Sequence, residues 1–262
     1  MSVLSTREFY KYLDQLDLDE DDYTKVASIA VTVTPLLHYI PSGIPEFTDH
    51  GIIHSTNVLR YVRDIVKEYK AELTKEERFI LALSAILHDI GCIVKREKHN
   101  EITIRILAKK QFDFLRNMLD PLFYRALEQV IIAHSKNFPL STISSDPSPE
   151  IRLRVISTLF RLADACDMSA SRVKKLLLEV LVEEGLLNKK CEEIWKSHLE
   201  IENVIIKKNY IRPQIYDPAV AEHCIGNLEE ELKSINPILA KHNLPPFLLE
   251  PDVVERSILK KP

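Results

Sequence analysis

A small set of histidine and aspartate residues limits how this chain can fold. The members of the set fall at or near the ends of predicted helices, and they are His50, His54, His88, Asp89, His99, His134 and Asp164. Imidazole and carboxylate groups together bind divalent transition metals, and they suit Mn, Fe, Co, Ni or Zn better than Mg or Ca. The pattern therefore predicts a fold in which the ends of several helices converge on a metal ion.

The composition favours long helices and argues against several classes of function. Only five glycines occur in 262 residues, and no glycine-rich nucleotide loop of the Rossmann or P-loop type is present. The net charge of -4 gives no bulk electrostatic case for binding DNA or RNA. The four cysteines are scattered, as expected of thiols in a reducing compartment. Because we find neither a signal peptide nor an apolar run of bilayer length, we expect a cytoplasmic protein without a membrane partner.

Local signals predict where most of the helices begin. Thr74 and Glu77 form a capping box for a helix that stops at Gly91. Two further starts consist of a capping residue followed by proline, at Asp120-Pro121 and Ser148-Pro149. The other expected elements are two helices within residues 1–40 on either side of the acidic run 17–22, a loop over 41–47, a helix from near Asp49, a helix over 100–119 and a loop over 138–149.

The last part of the chain has a different pattern. Residues 198–216 are rich in β-prone side chains around a Lys-Lys-Asn turn, which predicts a two-stranded hairpin. Asp217-Pro218 then begins a final helix, which we expect Pro237 to break. We predict a mainly α fold with a helical metal-binding core over 1–185. A small α+β appendage over 186–262, a β-hairpin plus a helix, would pack on that core.

The spacing of the candidate ligands indicates how each could take part in chemistry. His50 and His54 are four residues apart and would share a helix face. His88 and Asp89 are consecutive, so one can bind a metal while the other bridges or holds the metal-bound water. A metal with an open position lowers the pKa of that water and generates hydroxide as a nucleophile. The structural alternatives are a helix-end His88 that caps carbonyl groups, and a buried polar pair of His54 with Asp164.

Three short motifs in a fixed order give the chain a family resemblance. They are His54-Ser55, then Leu87-His88-Asp89-Ile90-Gly91, then Arg161-Leu162-Ala163-Asp164. Over roughly residues 45–175 the chain resembles the HD-domain superfamily of metal-dependent phosphohydrolases. The resemblance implies an orthogonal bundle of helices and hydrolysis of a phosphate ester, of a nucleotide or another compound. The ligands that it implies are His54, His88, Asp89 and Asp164.

Superfamily members with two metals carry two further histidines between the His-Asp doublet and the last aspartate. His99 and His134 occupy those places, so the resemblance implies one or two divalent ions. Asp89 would bridge two ions, and a metal-bound hydroxide would attack phosphorus, which makes His88 and Asp89 catalytic as well as ligands. Arg161 is the expected catalytic cation, because negative charge builds up in the transition state. The residues expected to bind substrate are His50, Lys95, Arg96 and Lys136.

The stretch from Phe47 to Gly51, together with Arg161 to Asp167, is also similar to HD domains found beside Hsp90-like ATPases. A partner ATPase or a second copy of the chain is therefore an expected partner, beside the small phosphate-ester or nucleotide substrate. Cys92 departs from the pattern, since many HD phosphohydrolases have lysine after the glycine. Two other functions stay open: a metal-stabilised scaffold that binds a partner without catalysis, and a di-iron oxygenase.

Overall fold

The computed structural model describes residues 3–44, 46–143 and 146–256. These residues form a mainly α-helical fold with a small sheet near the C-terminus, which confirms the predicted fold class. Parts of the expected loops (Pro45, Ser144 and Ser145) and of the appendage (residues 257–262) lie outside the described residues. The helices are α1 (Val3–Leu13), α2 (Glu20–Gly43), α3 (Ile52–Glu68), α4 (Lys75–Leu87), α5 (His99–Leu107), α6 (Asp113–Met118), α7 (Pro121–Ala133), α8 (Leu153–Cys166), α9 (Lys175–Glu183), α10 (Lys189–Leu199) and α11 (Pro218–Lys241). The strands are β1 (Ile201–Lys207), β2 (Tyr210–Ile215), β3 (Leu248–Leu249) and β4 (Asp252–Val253).

Helix α4 lies at the centre of the fold. Every side chain from Phe79 to Leu87 is buried, which is the pattern of a helix surrounded by other elements. Helices α2, α3, α7 and α8 pack against it. Because His88 caps the C-terminal end of α4 and is fully buried, this packing places the His-Asp doublet inside the protein.

The start of α4 is confirmed as a capping box, and it also holds the segment before α8. Thr74 Oγ1 accepts from Glu77 N, and Glu77 Oε2 accepts from Thr74 N, both at 3.1 Å. The Glu77 carboxylate also accepts from Arg152 N (2.8 Å) and from the Arg152 guanidinium (2.6 and 2.9 Å). These bonds hold Arg152 outside the helical region, with ψ at 79°, so α8 begins only at Leu153. The helix start predicted at Ser148-Pro149 is therefore wrong.

The single helix expected over 100–119 is interrupted. Helix α5 ends at Leu107, and Lys109 is extended, with ψ at 157°. The Arg116 guanidinium donates to the carbonyl oxygen of Leu107 at 2.9 Å. This bond satisfies a carbonyl group at the helix end, so the chain can leave the helix, form a 3₁₀ turn and begin α6.

Prolines inside two helices do not end them. Helix α2 runs through Pro41 to Gly43, and α11 runs through Pro237 to Lys241. The loop predicted from Pro41 therefore begins only after Gly43, and the predicted break at Pro237 is wrong. Each proline removes one backbone hydrogen bond from its helix. Packing of the buried apolar residues of both helices stabilises them more than local propensity does.

Among the described helices, α2 is long and apolar enough to cross a membrane by length and composition alone. This corrects the expectation that no segment reaches that length. The buried apolar residues of α2 follow the i, i+3, i+4, i+7 spacing of a helix with one face on a core. They are Val26, Ile29, Val33, Leu37 and Ile40.

The predicted hairpin is confirmed as β1 and β2. The strands pair antiparallel from Ile201 with Ile215 to Lys207 with Tyr210, and Lys208 has a φ of 58° in the turn. Strands β3 and β4 pair parallel with β2, and elements of two residues carry no periodic signal in a sequence. Strands β1 and β2, helix α11 and helices α1 to α8 contribute to one hydrophobic cluster, whereas α9 and α10 form a second, smaller one. The boundary at residue 185 stays a prediction.

Substitution of the buried Glu77 tests the link between α4 and α8. We expect Glu77→Gln to lower the free energy of unfolding by about 2–3 kcal/mol, because it weakens charge-assisted bonds to Arg152 in a buried site. Chemical denaturation measures the effect. The half-buried Glu76 in the same turn offers a control, and Glu76→Gln should change stability by about 0.5 kcal/mol or less. Equal effects of the two substitutions would show that the Glu77–Arg152 contact does not stabilise the fold.

Candidate metal centre

Six side chains at the ends of five helices meet inside the protein. Five of them are almost completely buried, and the side chain of Asp164 is 24% exposed. The six are His54 in the first turn of α3, His88 and Asp89 at the end of α4, His99 at the start of α5, His134 at the end of α7 and Asp164 in the last turn of α8. The structure thus brings together all the side chains that the resemblance implies as ligands.

The Asp89 carboxylate lies between two pairs of imidazole rings. Its Oδ2 is 3.4 Å from His54 Nε2 and 3.6 Å from His88 Nε2. Its Oδ1 is 3.0 Å from His99 Nε2 and 3.6 Å from His134 Nε2. The side chains therefore form two neighbouring groups of metal donors that share one carboxylate.

Asp164 completes the first of these groups. Its Oδ1 lies 3.1 Å from His54 Nε2 and 3.8 Å from His88 Nε2. Donor atoms of these three residues all lie within 4.8 Å of one another, and the same holds for donor atoms of His88, Asp89 and His134. Donors about 2.1 Å from one ion lie about 3–4 Å apart, so the observed separations suit a shared ion.

Hydrogen bonds of the ring Nδ1 atoms determine which nitrogen faces the centre. His88 Nδ1 lies 3.2 Å from the carbonyl oxygen of Ser84, and His134 Nδ1 lies 2.5 Å from that of Ile131. A carbonyl oxygen can only accept, so each Nδ1 carries the hydrogen and each neutral ring presents Nε2 as a lone pair. Metal-binding histidines typically donate such a hydrogen bond from the ring nitrogen that does not face the metal.

The Nε2 atoms face one another at distances at which a hydrogen atom or a metal ion must lie between them. His54 Nε2 lies 3.0 Å from His88 Nε2, and His99 Nε2 lies 2.6 Å from His134 Nε2. Two buried lone pairs at such distances repel each other unless a proton or a metal ion lies between them. The donor set therefore fits one divalent ion on each side of Asp89.

Burial and hydrogen bonding set the charges in the centre. Burial lowers the pKa of His88 to about 3, so this ring is neutral at physiological pH. Burial and the nearby Arg172 oppose a charge on His54, but hydrogen bonds with Asp164 and Asp167 outweigh them and raise its pKa to about 9. Burial also opposes the Asp164 carboxylate, yet its bond with His54 holds the pKa well below the ordinary range. A metal ion that binds at His54 therefore displaces a proton.

Asp167 orients His54 from the side opposite the centre. Its Oδ2 accepts from His54 Nδ1 at 2.7 Å, and its Oδ1 accepts from Asn57 Nδ2 at 2.9 Å. Arg172 Nη1 donates to the backbone oxygen of Asp167 at 3.0 Å. Asp167 therefore orients the ring of a candidate ligand, and both of its carboxylate oxygens accept hydrogen bonds.

A close approach between α5 and the His-Asp doublet brings His99 to the centre. A Cβ atom on residue 91 would lie 2.0 Å from the carbonyl oxygen of His99, so only Gly91 fits. Thr103 Oγ1 accepts from Gly91 N and donates to the carbonyl oxygen of His88, both at 2.8 Å. The glycine of the Leu87–Gly91 motif is thus a packing requirement. No sequence pattern pointed to Thr103.

His50 lies beside the centre but not on the same helix as His54. Helix α3 begins at Ile52 with Gly51 as its N-cap, so the predicted shared helix face is wrong. A Cβ atom on residue 51 would lie 2.3 Å from the carbonyl oxygen of Leu37, so the chain passes directly against α2 before it becomes helical. The His50 ring still lies 5.6 Å from the His54 ring.

Two cavities open beside the centre, and the larger has a volume of about 390 Å³ next to His99 and His134. Arg96 contacts the His99 ring, with Nη1 3.1 Å from Nε2. Lys95 is exposed and does not line either cavity. Three of the predicted substrate-binding and catalytic cations line the larger cavity, and they are Arg96, Lys136 and Arg161.

Arg161 is largely engaged in holding the fold together. Its Nε donates to Glu231 Oε2 at 2.6 Å, and its Nη1 and Nη2 donate to the carbonyl oxygens of Phe138 (2.9 Å) and Lys136 (2.7 Å). These bonds connect α8 with α11 and with the loop after α7. A guanidinium carries five N–H groups, so two remain beyond these bonds. A direct catalytic role of Arg161 stays a prediction.

The smaller cavity, of about 200 Å³, opens beside His50 and His54. Part of its wall comes from the C-terminal region, with His198 on α10 and with His223 and Asn227 on α11. Sequence reasoning did not identify these residues, because no local motif marks them. Only the packing of α11 against α8 and α10 brings them to the centre.

Removal of the negative charge on Asp167 tests whether this residue orients the His54 ring for metal binding. We expect Asp167→Asn to weaken divalent-metal binding about 10- to 100-fold, because the neutral amide supports the ring less well than the carboxylate. Isothermal titration of the metal-free protein with Zn²⁺ or Mn²⁺ measures the affinity. Asp113→Asn, on the exposed start of α6, provides the control and should leave the affinity unchanged. The same affinity in all three proteins would contradict this role.

Comparisons with known proteins agree with the geometry. The HD-CE family model matches residues 44–241, which is more than half of the chain. This range contains all six candidate ligands and extends to the end of α11. A comparison with curated proteins found no match, and the similarity to HD domains beside Hsp90-like ATPases stays a prediction. The chain belongs to the HD-CE family, which is a family of the HD-domain type.

Proposed function

We propose that the protein is a metal-dependent phosphohydrolase that cleaves a phosphate ester, with nucleotides as the leading substrate class. The observation that carries this proposal is the position of Asp89, because each of its carboxylate oxygens faces a separate pair of imidazoles. Two divalent ions held by these groups would polarise a phosphate ester and acidify a water molecule. Membership of an HD-type family supports the same chemistry.

The residues around the centre suit an anionic substrate. Phosphoryl transfer spreads negative charge over the phosphate oxygens, and fixed positive charge stabilises it most in a site that excludes water. Arg96 and Lys136 line the larger cavity next to His99 and His134, so their charges lie beside one of the two donor groups. The two N–H groups of Arg161 that are not bonded to the protein would add to this field.

Asp164 indicates where a substrate reaches the centre. It is the most exposed of the six candidate ligands, and it lines both cavities. Burial opposes its charge, but the bond with His54 keeps the carboxylate ionised. A substrate that spans the two cavities would therefore pass Asp164 with its phosphate next to the donor groups.

The number of metal ions bound by the native protein and by variants tests whether the two donor groups each hold one ion. We expect about two equivalents of a divalent transition metal in the native protein, and about one in His99→Ala, which damages only the group on the Oδ1 side of Asp89. Asp89→Ala should lower the occupancy of both sites, because it removes the shared carboxylate. Elemental analysis measures the ratio, with His242→Ala as the control at a half-exposed histidine distant in sequence. Two tightly bound ions in His99→Ala would contradict the assignment.

Phosphate release from a panel of nucleotides and simple phosphate esters tests the activity. We expect turnover that needs a divalent metal and falls at least about a hundredfold in Asp89→Asn, since that substitution removes the bridging charge. Circular dichroism checks that the variant folds. A metal-loaded protein that releases no phosphate from any ester would favour a non-catalytic scaffold. Turnover that requires iron and dioxygen would indicate an oxygenase instead.

A further inference from the structure

We propose that the smaller cavity binds the hydroxyl groups of a sugar, so that the substrate is the phosphate ester of a sugar or a ribose and not of an apolar alcohol. This inference rests on the proposed function for the bond that is cleaved. The recognition itself depends on residues outside the six candidate ligands, above all His50, Arg172 and His198.

Two buried histidines present hydrogen-bond acceptors at this cavity. His50 Nδ1 lies 2.5 Å from the carbonyl oxygen of Thr48, and His198 Nδ1 lies 2.8 Å from that of Met168. Both Nδ1 atoms must carry the hydrogen, which leaves both Nε2 atoms as acceptors in the neutral rings. Burial lowers the pKa of His198 to about 3, so this ring is neutral at physiological pH. Among the described residues, neither Nε2 has a hydrogen-bond partner.

A buried guanidinium supplies a donor at the same cavity. Arg172 lines the cavity, and its side chain is only 9% exposed. Its Nε donates to the carbonyl oxygen of Asp49 at 2.9 Å, and its Nη1 donates to that of Asp167 at 3.0 Å. Its Nη2 is buried and has no hydrogen-bond partner among the residues that the structure describes. An unsatisfied buried donor is costly, which points to a ligand atom that accepts from it.

A hydroxyl group can bond both to the histidine acceptors and to the arginine donor in the cavity wall. It donates to a histidine Nε2 and accepts from Arg172, whereas a phosphate oxygen can only accept and an ammonium group can only donate. Charges of both signs line this cavity, namely the carboxylates of Asp89, Asp164 and Asp167 and the guanidinium groups of Arg96 and Arg172. A ligand of either charge sign therefore meets like charge in the wall. A neutral molecule with several hydroxyl groups remains as the matching class.

The size and position of the cavity agree with this class. Its volume of about 200 Å³ corresponds to about six or seven water molecules, which is enough for a sugar. The cavity reaches Asp89, His54 and Asp164 directly. A sugar bound against His50 and His198 would therefore place its phosphate beside the donor groups.

The test compares ribose 5-phosphate with n-pentyl phosphate, which has the same number of carbons and no hydroxyl groups. In the metal-loaded protein we expect kcat/KM for ribose 5-phosphate to be higher by about tenfold or more. His198→Leu should reduce the ratio of the two values about tenfold, because one acceptor is lost. His198→Gln should restore part of the ratio, since its side-chain oxygen accepts. The control is again at His242, and His242→Leu should leave the ratio unchanged.

A measurement on the native protein keeps the test independent of folding and turnover. Binding of ribose 5-phosphate should shift the ¹⁵N resonance of His198 Nε2, and n-pentyl phosphate should not. Equal kcat/KM values for the two esters, or a ratio that His198→Leu does not change, would overturn the inference while the proposed hydrolysis stands. If neither ester is cleaved, the ¹⁵N shift decides the inference: a shift with ribose 5-phosphate alone supports a sugar site, and no shift overturns it, while the nucleotide panel decides the proposed hydrolysis.

Discussion

The rest of the structure depends on four imidazole rings that surround one buried carboxylate. The Nε2 atoms approach each other to 3.0 Å in one pair and 2.6 Å in the other, around the two oxygens of Asp89. Such an arrangement is unfavourable without a hydrogen atom or a metal ion between the rings, since lone pairs and a buried negative charge are brought together in a poorly polarisable interior. The buried helix α4 and the helices around it supply the packing that holds the rings in place. Because only the folded chain assembles these donors, a metal ion bound to them would stabilise the fold.

The positions of the ligands at helix ends have a physical reason. The last carbonyl groups of a helix lack the usual partner four residues further on within the helix. The His134 ring bonds to the carbonyl group of Ile131, and the His88 ring shares that of Ser84 with its own backbone N–H. A helix C-terminus also carries partial negative charge, which favours a cation. His54 lies in the first turn of α3, where no free carbonyl is available, and its ring bonds to Asp167 instead. Carbonyl groups of their own helices therefore orient the rings of His88 and His134, whereas a carboxylate orients the ring of His54.

Local features of the sequence predicted the parts of the fold that local interactions determine. The capping box at Thr74, the start at Asp120-Pro121 and the hairpin turn near Lys208 all depend on neighbouring residues, and the structure has them. The start at Ser148-Pro149 failed because Glu77, far away in the sequence, holds Arg152 outside a helix. The motifs named the histidines and aspartates that meet at the centre, but they contain no information on what packs next to them.

Local sequence motifs also did not predict the C-terminal residues that line the smaller cavity. His198 has no motif around it, and its ring is placed by a bond to Met168 and by the packing of α10 on α11. Arg161 connects the helix that carries Asp164 to Glu231 on α11. The helical bundle before residue 170 thus supplies the candidate metal donors, while the region after it completes the wall of the smaller cavity, in which we propose that a substrate is recognised. Members of a family that share the His-Asp motifs and differ in such a C-terminal region would therefore keep the chemistry and change the substrate.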